Sequence, residues 1–312
     1  MKVTINVVTG ILGAGKTSVL RHLIDGHNLD GIPGVVVGEY AKEGFDGQML
    51  KAAGARVAEI TNTGRGDSAK SYVESVRDMI EDEMHWRIYL ETSGVTQISE
   101  VARDLLADPL ISQHAQLGRT VTVLDAGAFT LHDELFNAQL WAQISVADVV
   151  VINKTDKLQS ESLSDLRARI RQRKPGVTVQ FSYMGQASRP AILDPLREDE
   201  RPAILDVDFS DDPPAEFEAF VYRSKRICFD RVTFGHRLLN LPGGAIARFK
   251  GALRCWDKTH CLNGFPGQLD WDSTPVQGRT AIAFIGLGLE ARREEITSLL
   301  DEELASQQAD DR

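Results

Sequence analysis

Gly10-Ile11-Leu12-Gly13-Ala14-Gly15-Lys16-Thr17 fits the spacing G-x-x-x-x-G-K-[ST]. It follows an apolar run that reads as a strand and opens a segment that reads as a helix, which is the context this pattern needs. Glycines let backbone N–H groups approach phosphates closely, and a helix N-terminus favours negative charge. Gly13, Ala14, Gly15, Lys16, Thr17 and Ser18 are therefore candidate phosphate contacts. Lys16 would reach the β- and γ-phosphates, and the Thr17 hydroxyl would coordinate Mg²⁺.

A second pattern, Asn153-Lys154-Thr155-Asp156, ends the apolar run from Asp148. A carboxylate there accepts two hydrogen bonds from N1–H and the 2-amino group of guanine. Adenine offers neither donor, and sites of this kind discriminate by about 10⁴–10⁵. The Lys154 stem would pack on the base, Asn153 would brace the loop, and Ser182-Tyr183-Met184 would close over the base or be plain loop. By itself N-K-x-D is also what an ordinary polar turn looks like. Downstream of a phosphate loop, at the C-terminal end of a later strand, it points to GTP and GDP rather than ATP. Glu91-Thr92-Ser93-Gly94 adds an acid for Mg²⁺ and a glycine N–H for the γ-phosphate. Read without the other two motifs, it is a strand end with a turn glycine.

These residues need a scaffold. Val3–Val8, 34–37, Arg87–Glu91, 120–124, 148–152 and Thr178–Phe181 read as strands, mostly continuous apolar runs suited to burial on both faces. Segments 17–25, 67–83, 97–107 and Ser160–Arg173 show helical periodicity. The alternation implies an α/β fold with a mostly parallel sheet. At 312 residues, two domains are favoured, since single cores stop growing at about 250–300 residues. The expected division is a P-loop domain over 1–195 and an acidic, proline-containing linker over 196–216. A smaller α+β domain over 217–305 and a frayed polar tail over 306–312 complete it. Strands at 217–222, 245–254 and 280–285 and a helix at 290–304 are expected in the α+β domain.

The composition, 42% hydrophobic and 26% charged, is that of a soluble globular protein. A net charge of −10 argues against nucleic-acid and anionic-membrane partners. No secretory leader or spanning apolar run is visible, so a cytoplasmic protein is expected. Three cysteines, all in the last third, form no disulfide framework.

With these motifs in hand, the chain resembles the CobW-type GTPases (the CobW/HypB/UreG group), in which Glu stands where most GTPases carry Asp. Beyond the three motifs, the likeness rests on Glu39-Tyr40-Ala41 with Asp46-Gly47, on Thr122–Ala126 and on Ala147-Asp148. In the C-terminal region it rests on Arg248-Phe249-Lys250-Gly251, Arg279-Thr280 and Phe284-Ile285-Gly286. The resemblance implies a GTP-dependent accessory factor that inserts a metal or metallocofactor into a client metalloenzyme or cobalamin enzyme. Zn²⁺ or Co²⁺ would be the cargo, and a nucleotide-dependent homodimer is implied.

The chain departs from the family where a C-x-C-C metal motif is usual: Asn62 runs straight into Thr63-Gly64-Arg65. Soft thiolates select Zn²⁺ or Cu⁺, so the usual internal site cannot form. Cys255, His260 and Cys261, with His236, are the replacement candidates. Adjacent His260 and Cys261 would point to opposite faces of a strand. Arg65 would approach the nucleotide or be a helix-start residue with a free surface guanidinium, and Met79, Met84 and Trp86 are assigned to the core. Three readings remain: a metal-insertion GTPase, a GTPase switch without its own metal cargo, and a small-molecule kinase, which N-K-x-D disfavours. No catalytic Gln or arginine finger is evident, so turnover is expected to be slow, about 10⁻⁴–10⁻² s⁻¹.

Overall fold

The apolar runs assemble into one sheet. The computed structural model describes residues 2–11, 13–25, 31–39, 45–61, 67–82, 85–92, 98–127, 134–196, 200–207, 218–224, 228–242, 246–276 and 279–301. Within them, β1 (Val3–Thr9), β2 (Gly34–Glu39), β3 (Arg56–Thr61), β4 (Arg87–Glu91), β5 (Ala115–Asp125), β6 (Val149–Asn153) and β7 (Thr178–Phe181) form a seven-stranded sheet. Its order is β3-β2-β4-β1-β5-β6-β7, and every pairing is parallel.

Alternate residues of the central strands enter two different cores. Val7, Val36 and Leu90 pack on one face, and Val8, Val37 and Tyr89 on the other. Burial on both faces is why these strands read as unbroken apolar runs. The helices that cover them are amphipathic. In α3 (Asp67–Glu81), Tyr72, Val76, Met79 and Ile80 make the buried stripe. α1 (Lys16–Ile24) turns Val19, Leu20 and Leu23 to the other face. The remaining helices are α2 (Phe45–Ala52), α4 (Ile98–Ala107), α5 (Pro109–His114), α6 (Glu134–Ser145), α7 (Ser160–Arg173) and α8 (Arg189–Leu193). α5 is fixed by local chemistry: Pro109 occupies the first turn, and the Asp108 carboxylate accepts the N–H groups of Leu110 and Ile111, each at 3.0 Å.

The chain divides into two units, Met1–Pro214 and Ala215–Arg312. Part of the segment expected to be a linker belongs to the first unit. A 3-10 turn at Ala203–Leu205 buries Ile204 in the sheet core, and the Ala203 N–H donates to the Asp148 carboxylate at 3.0 Å. Its prolines and acids disguise one apolar anchor. Residues 208–216 and the expected tail, 306–312, lie outside the described residues, as does Met84. Met79 is core as expected, while Trp86 is half-buried under the Arg87 guanidinium.

The second unit is an antiparallel sheet of β8 (Glu218–Arg223), β9 (Ile246–Arg254), β10 (Thr259–Phe265), β11 (Gln268–Val276) and β12 (Ala281–Gly286). The order is β11-β10-β9-β12-β8. α9 (Arg231–Leu239) and α10 (Arg293–Asp301) pack into its core with a cluster of aromatic rings, in which Phe220 stacks on Phe284 at 5.3 Å and Phe229 meets Phe234 edge-on at 4.7 Å.

Candidate nucleotide site

The first group of functional side chains sits at the C-terminal ends of β1, β4, β5 and β6, where open α/β sheets bind ligands. After β1 the chain turns through Gly10, which has φ 143° and lies so close to β5 that a Cβ would stand 2.2 Å from the Val123 carbonyl oxygen. Gly15, at φ 101°, caps α1, and a Cβ there would stand 2.2 Å from Asn153 Nδ2. The glycines are thus demanded by the walls of the loop as well as by its turns. Gly13 has φ 73°, and the Ala14 N–H donates to the Ile11 carbonyl at 3.0 Å. Ser18 follows in the first turn of α1.

Lys16 is buried, and its ammonium donates to the Gly10 carbonyl at 2.9 Å. The Thr17 hydroxyl donates to the Glu91 carboxylate, 3.2 Å from Oε1 and 3.3 Å from Oε2. Tyr72 Oη holds the end of β4 by donating to the Glu91 carbonyl at 2.9 Å. A buried hydroxyl and carboxylate side by side form a hard-oxygen donor pair, which fits Mg²⁺. A cation within a helix-opening glycine loop fits phosphate. Gly94 and Arg65 lie outside the described residues.

Asn153 joins the two motifs. Its Nδ2 donates to the Ala14 carbonyl at 2.9 Å, and its Oδ1 accepts the Gly185 N–H at 3.1 Å. Gly185 in turn lies against Ser18, where a Cβ would stand 2.5 Å from the Ser18 carbonyl carbon. Lys154 adopts φ 58°, and its ammonium pairs with Asp125 Oδ2 at 2.8 Å. Asp125, at the end of β5, is a site residue that spacing did not single out. Asp156 sits on a 3-10 turn, exposed and without a hydrogen-bond or ion-pair partner among the described residues. Ser182 holds that turn from behind: its carbonyl accepts the Thr155 N–H at 3.3 Å and the Thr155 hydroxyl at 3.1 Å. The Ser182 hydroxyl itself is buried and unpartnered.

With this geometry in place, the comparisons decide the family. The nucleotide-binding domain of the CobW/HypB/UreG family matches residues 4–181. The chain belongs to that family. It is 29% identical over 229 residues to a zinc chaperone CobW of Pseudomonas aeruginosa, covering 62% of this chain and 60% of the relative. A zinc chaperone CobW of Sinorhizobium is 30% identical over 209 residues, with coverage of 55% and 56%. A zinc-regulated GTPase metalloprotein activator of Schizosaccharomyces pombe is 28% identical over 178 residues, or 54% of this chain and 43% of its own length. The matched stretches thus span about half of these curated relatives. Among solved structures, the Zn(II)-bound YjiA GTPase of E. coli aligns over 97% of this chain and 99% of its own, at 17% identity and a TM-score of 0.42.

The family match, residues 4–181, lies within the first unit, and all three cysteines lie in the second. Cys255 follows β9, and its N–H donates to the Lys258 carbonyl at 2.9 Å, closing the turn into β10. Cys255, Asp257 and His260 place their ligand atoms within 4.8 Å of one another. Cys261 does not join them. His260 pairs with Leu253 and Cys261 with Ala252, so His260 shares a face with Leu253 and Cys255 while Cys261 points to the other face. His236, on α9, is also outside the group. Asp257 was not foreseen; it accepts from His260 Nε2 at 3.0 and 3.1 Å, which holds its carboxyl below the usual carboxylate range. Burial, and then the negative charge of Asp257, push the Cys255 thiol up to about 11.

Proposed function

We propose that this protein binds GTP·Mg²⁺, hydrolyses it slowly to GDP and phosphate, and uses the cycle as an accessory factor for inserting a metal or metallocofactor into a client enzyme. One observation carries the nucleotide reading: Asn153, the first residue of N-K-x-D, is hydrogen-bonded to the phosphate loop at Ala14 and to the loop after β7 at Gly185, which brings the two motifs together. Lys16 and the amides of Gly13 to Ser18 would hold the phosphates. Asp156 would accept the guanine N–H groups, and the Lys154 stem would lie along the base. Thr17 and Glu91 would hold Mg²⁺, which on binding neutralises charge developing on the phosphates. Glu91 would also orient the attacking water. Gly94 is assigned to the γ-phosphate on its motif alone.

The insertion role rests on family membership and on relatives named as zinc chaperones and a metalloprotein activator. A cobalamin enzyme or another metalloenzyme is the proposed client, with a nucleotide-dependent homodimer as the proposed working form. A second reading, a regulatory GTPase switch without its own metal cargo, is favoured by one fact: no cysteine precedes Cys228, so the nucleotide unit holds none. Among the described residues no helix is long and apolar enough to cross a membrane, and a cytoplasmic site of action is proposed.

Calorimetry with GTP, GDP and ATP tests the nucleotide reading. Tight GTP binding in the presence of Mg²⁺ and none to ATP is expected, and equal affinities for GTP and ATP would overturn it. Recovery of a metalloenzyme with the full chain in its GTP state, and not in its GDP state, tests the client role.

A further inference from the structure

The group at the β9–β10 turn has three features that an ordinary surface turn lacks. Its thiol and imidazole are buried, 2% and 5% exposed. The imidazole is on β10 and the thiol is on the residue just after β9, and they lie on one sheet face because His260 pairs with Leu253, two residues before Cys255. Its carboxylate, 64% exposed at the side chain, roofs them from the solvent side. We infer that Cys255, Asp257 and His260 form a three-ligand site for a divalent ion of zinc type, with a fourth position open to solvent or to a partner.

The ligand chemistry supports this ion. Thiolate, imidazole and carboxylate are the three protein donors of tetrahedral Zn²⁺, at about 2.3, 2.0–2.1 and 2.0–2.2 Å. Those bond lengths set donor atoms about 3.4–3.6 Å apart at a tetrahedral centre. His260 Nε2 and the Asp257 carboxylate are now 3.0 Å apart, and all three donors lie within 4.8 Å. Closure therefore needs small side-chain rotations and no strand movement. The ion would replace the Nε2 proton between His260 and Asp257, shifting the imidazole to its Nδ1–H tautomer. The Cys255 S–H bond breaks as the S–metal bond forms, and that proton is released to solvent. Trp271 packs edge-on to His260 at 5.9 Å and supports the ring, while the Arg231 guanidinium lies over Trp271 at 5.2 Å.

The inference does not depend on the nucleotide reading, and the cysteine inventory makes the test clean. The only thiols in the chain are Cys228, Cys255 and Cys261. The full chain, stripped with chelator, is titrated with Zn²⁺ against a competing chromophoric chelator, and with Co²⁺ as a spectroscopic probe. One ion per chain is expected, and the Co²⁺ form should show thiolate-to-metal charge-transfer absorption. Cys255→Ser should abolish that absorption and lower Zn²⁺ affinity at least about 100-fold, whereas Cys228→Ser and Cys261→Ser should retain both. Asp257→Asn, at an exposed position that does not threaten folding, should weaken Zn²⁺ about 10- to 100-fold with the charge-transfer band preserved. A Co²⁺ form without thiolate absorption overturns the assignment. So does absorption that follows Cys228 or Cys261, or wild-type affinity in both Asp257→Asn and His260→Ala. GTP affinity measured on the same variants should be unchanged, which separates failure of this site from failure of the nucleotide reading.

Discussion

Asp156 stands exposed and without a partner among the described residues, while Asn153 and Lys154 of the same motif are tied to neighbouring strands and loops, so its carboxylate is available to a ligand. Hydrogen bonds to a charged acceptor are worth about 1.5–3 kcal/mol each. Asp156→Ala, losing two, should therefore weaken GTP about 10²–10⁴-fold in calorimetry, and Asp156→Asn should turn preference toward xanthine nucleotides. Lys16 and Glu91 separate differently. Lys16→Ala should abolish tight GTP binding because the ammonium would contact phosphate directly. Glu91→Gln should leave affinity within about tenfold and slow single-turnover hydrolysis about 100-fold or more, because its role runs through Mg²⁺ or water. Hydrolysis by Glu91→Gln at the wild-type rate would remove Glu91 from the mechanism. These residues were legible because a phosphate loop and a base-reading turn are each local in sequence. Asp125 was not, since its partner Lys154 is 29 residues away and meets it only because β5 and β6 are neighbours. Asp257 was missed because carboxylates in turns are common, and only the register of β9 and β10 brings a thiol and an imidazole beneath it. Its neighbour Cys255 carries a pH signature. Burial holds the thiol neutral up to about 11, against an ordinary value of 9.0. Between those values the unfolded chain has lost a proton that the folded chain keeps, so stability falls as pH rises. Urea midpoints measured from pH 8 to 11 should decline less in Cys255→Ala than in the wild type.

At the scale of elements, what the sequence revealed depended on how each strand is buried. β1, β2, β4, β5 and β6 are interior strands with both faces covered, and their apolar runs announce them. β3 is an edge strand whose Arg56-Val57-Ala58-Glu59-Ile60-Thr61 alternates, and it offers no such run. α6 was equally silent because its apolar residues, among them Leu140 and Ile144, are not confined to a single stripe. The short helices α2 and α9 and the strand β11 fall where the sequence pattern assigned no element, while α10, at Arg293–Asp301, lies within the longer expected helix, whose last residues are outside the described ones. The C-terminal strands that were expected lie within one residue of β8, β9 and β12. The junction between β1 and α1 makes its own prediction. Gly10 combines a left-sided φ with a Cβ position 2.2 Å from backbone oxygen of β5, which cannot rotate away. Gly10→Ala must shift β5 or the loop, at a cost of about 1–3 kcal/mol for the backbone strain alone. Both thermal stability and GTP affinity should drop together. Asn153→Ala, which loosens the crevice without straining it, should lose GTP affinity with a smaller change in melting temperature. Wild-type GTP affinity in Asn153→Ala would show that the two loops do not need their shared brace.

At the scale of the whole molecule, the boundary read from composition falls too early. Prolines and acids after residue 196 look like linker, yet Ile204 is 1% exposed in the core of the first unit and Leu205 and Val207 pack beside it. The Asp148 carboxylate, raised above its ordinary range by burial, relies on N–H donors from Thr120 and from Ala203 on that same turn. A fragment ending at 195 would expose the Ile204 site and leave Asp148 with one backbone donor fewer. Burying an Ile contributes about 1.5–3 kcal/mol, and a hydrogen bond to a charge about as much, so the truncation should cost about 3–6 kcal/mol. Set against a domain stability of about 5–15 kcal/mol, that is enough to unfold it in moderate urea. Fragment 1–214 should therefore unfold cooperatively at a clearly higher urea midpoint than fragment 1–195, and equal midpoints would show that the 203–207 segment is a passenger. The stable fragment then separates the two chemistries of the chain. It keeps the phosphate loop, Glu91 and N-K-x-D but contains no cysteine, so it should bind GTP as the full chain does. In a chelator competition, with and without GTP, it should take up no Zn²⁺ tightly, because hard carboxylates and scattered imidazoles cannot replace thiolates at that affinity. Tight stoichiometric Zn²⁺ on fragment 1–214 would place the metal beside the nucleotide after all. Tight binding by the full chain alone, lost in Cys255→Ser, would place it in the second unit.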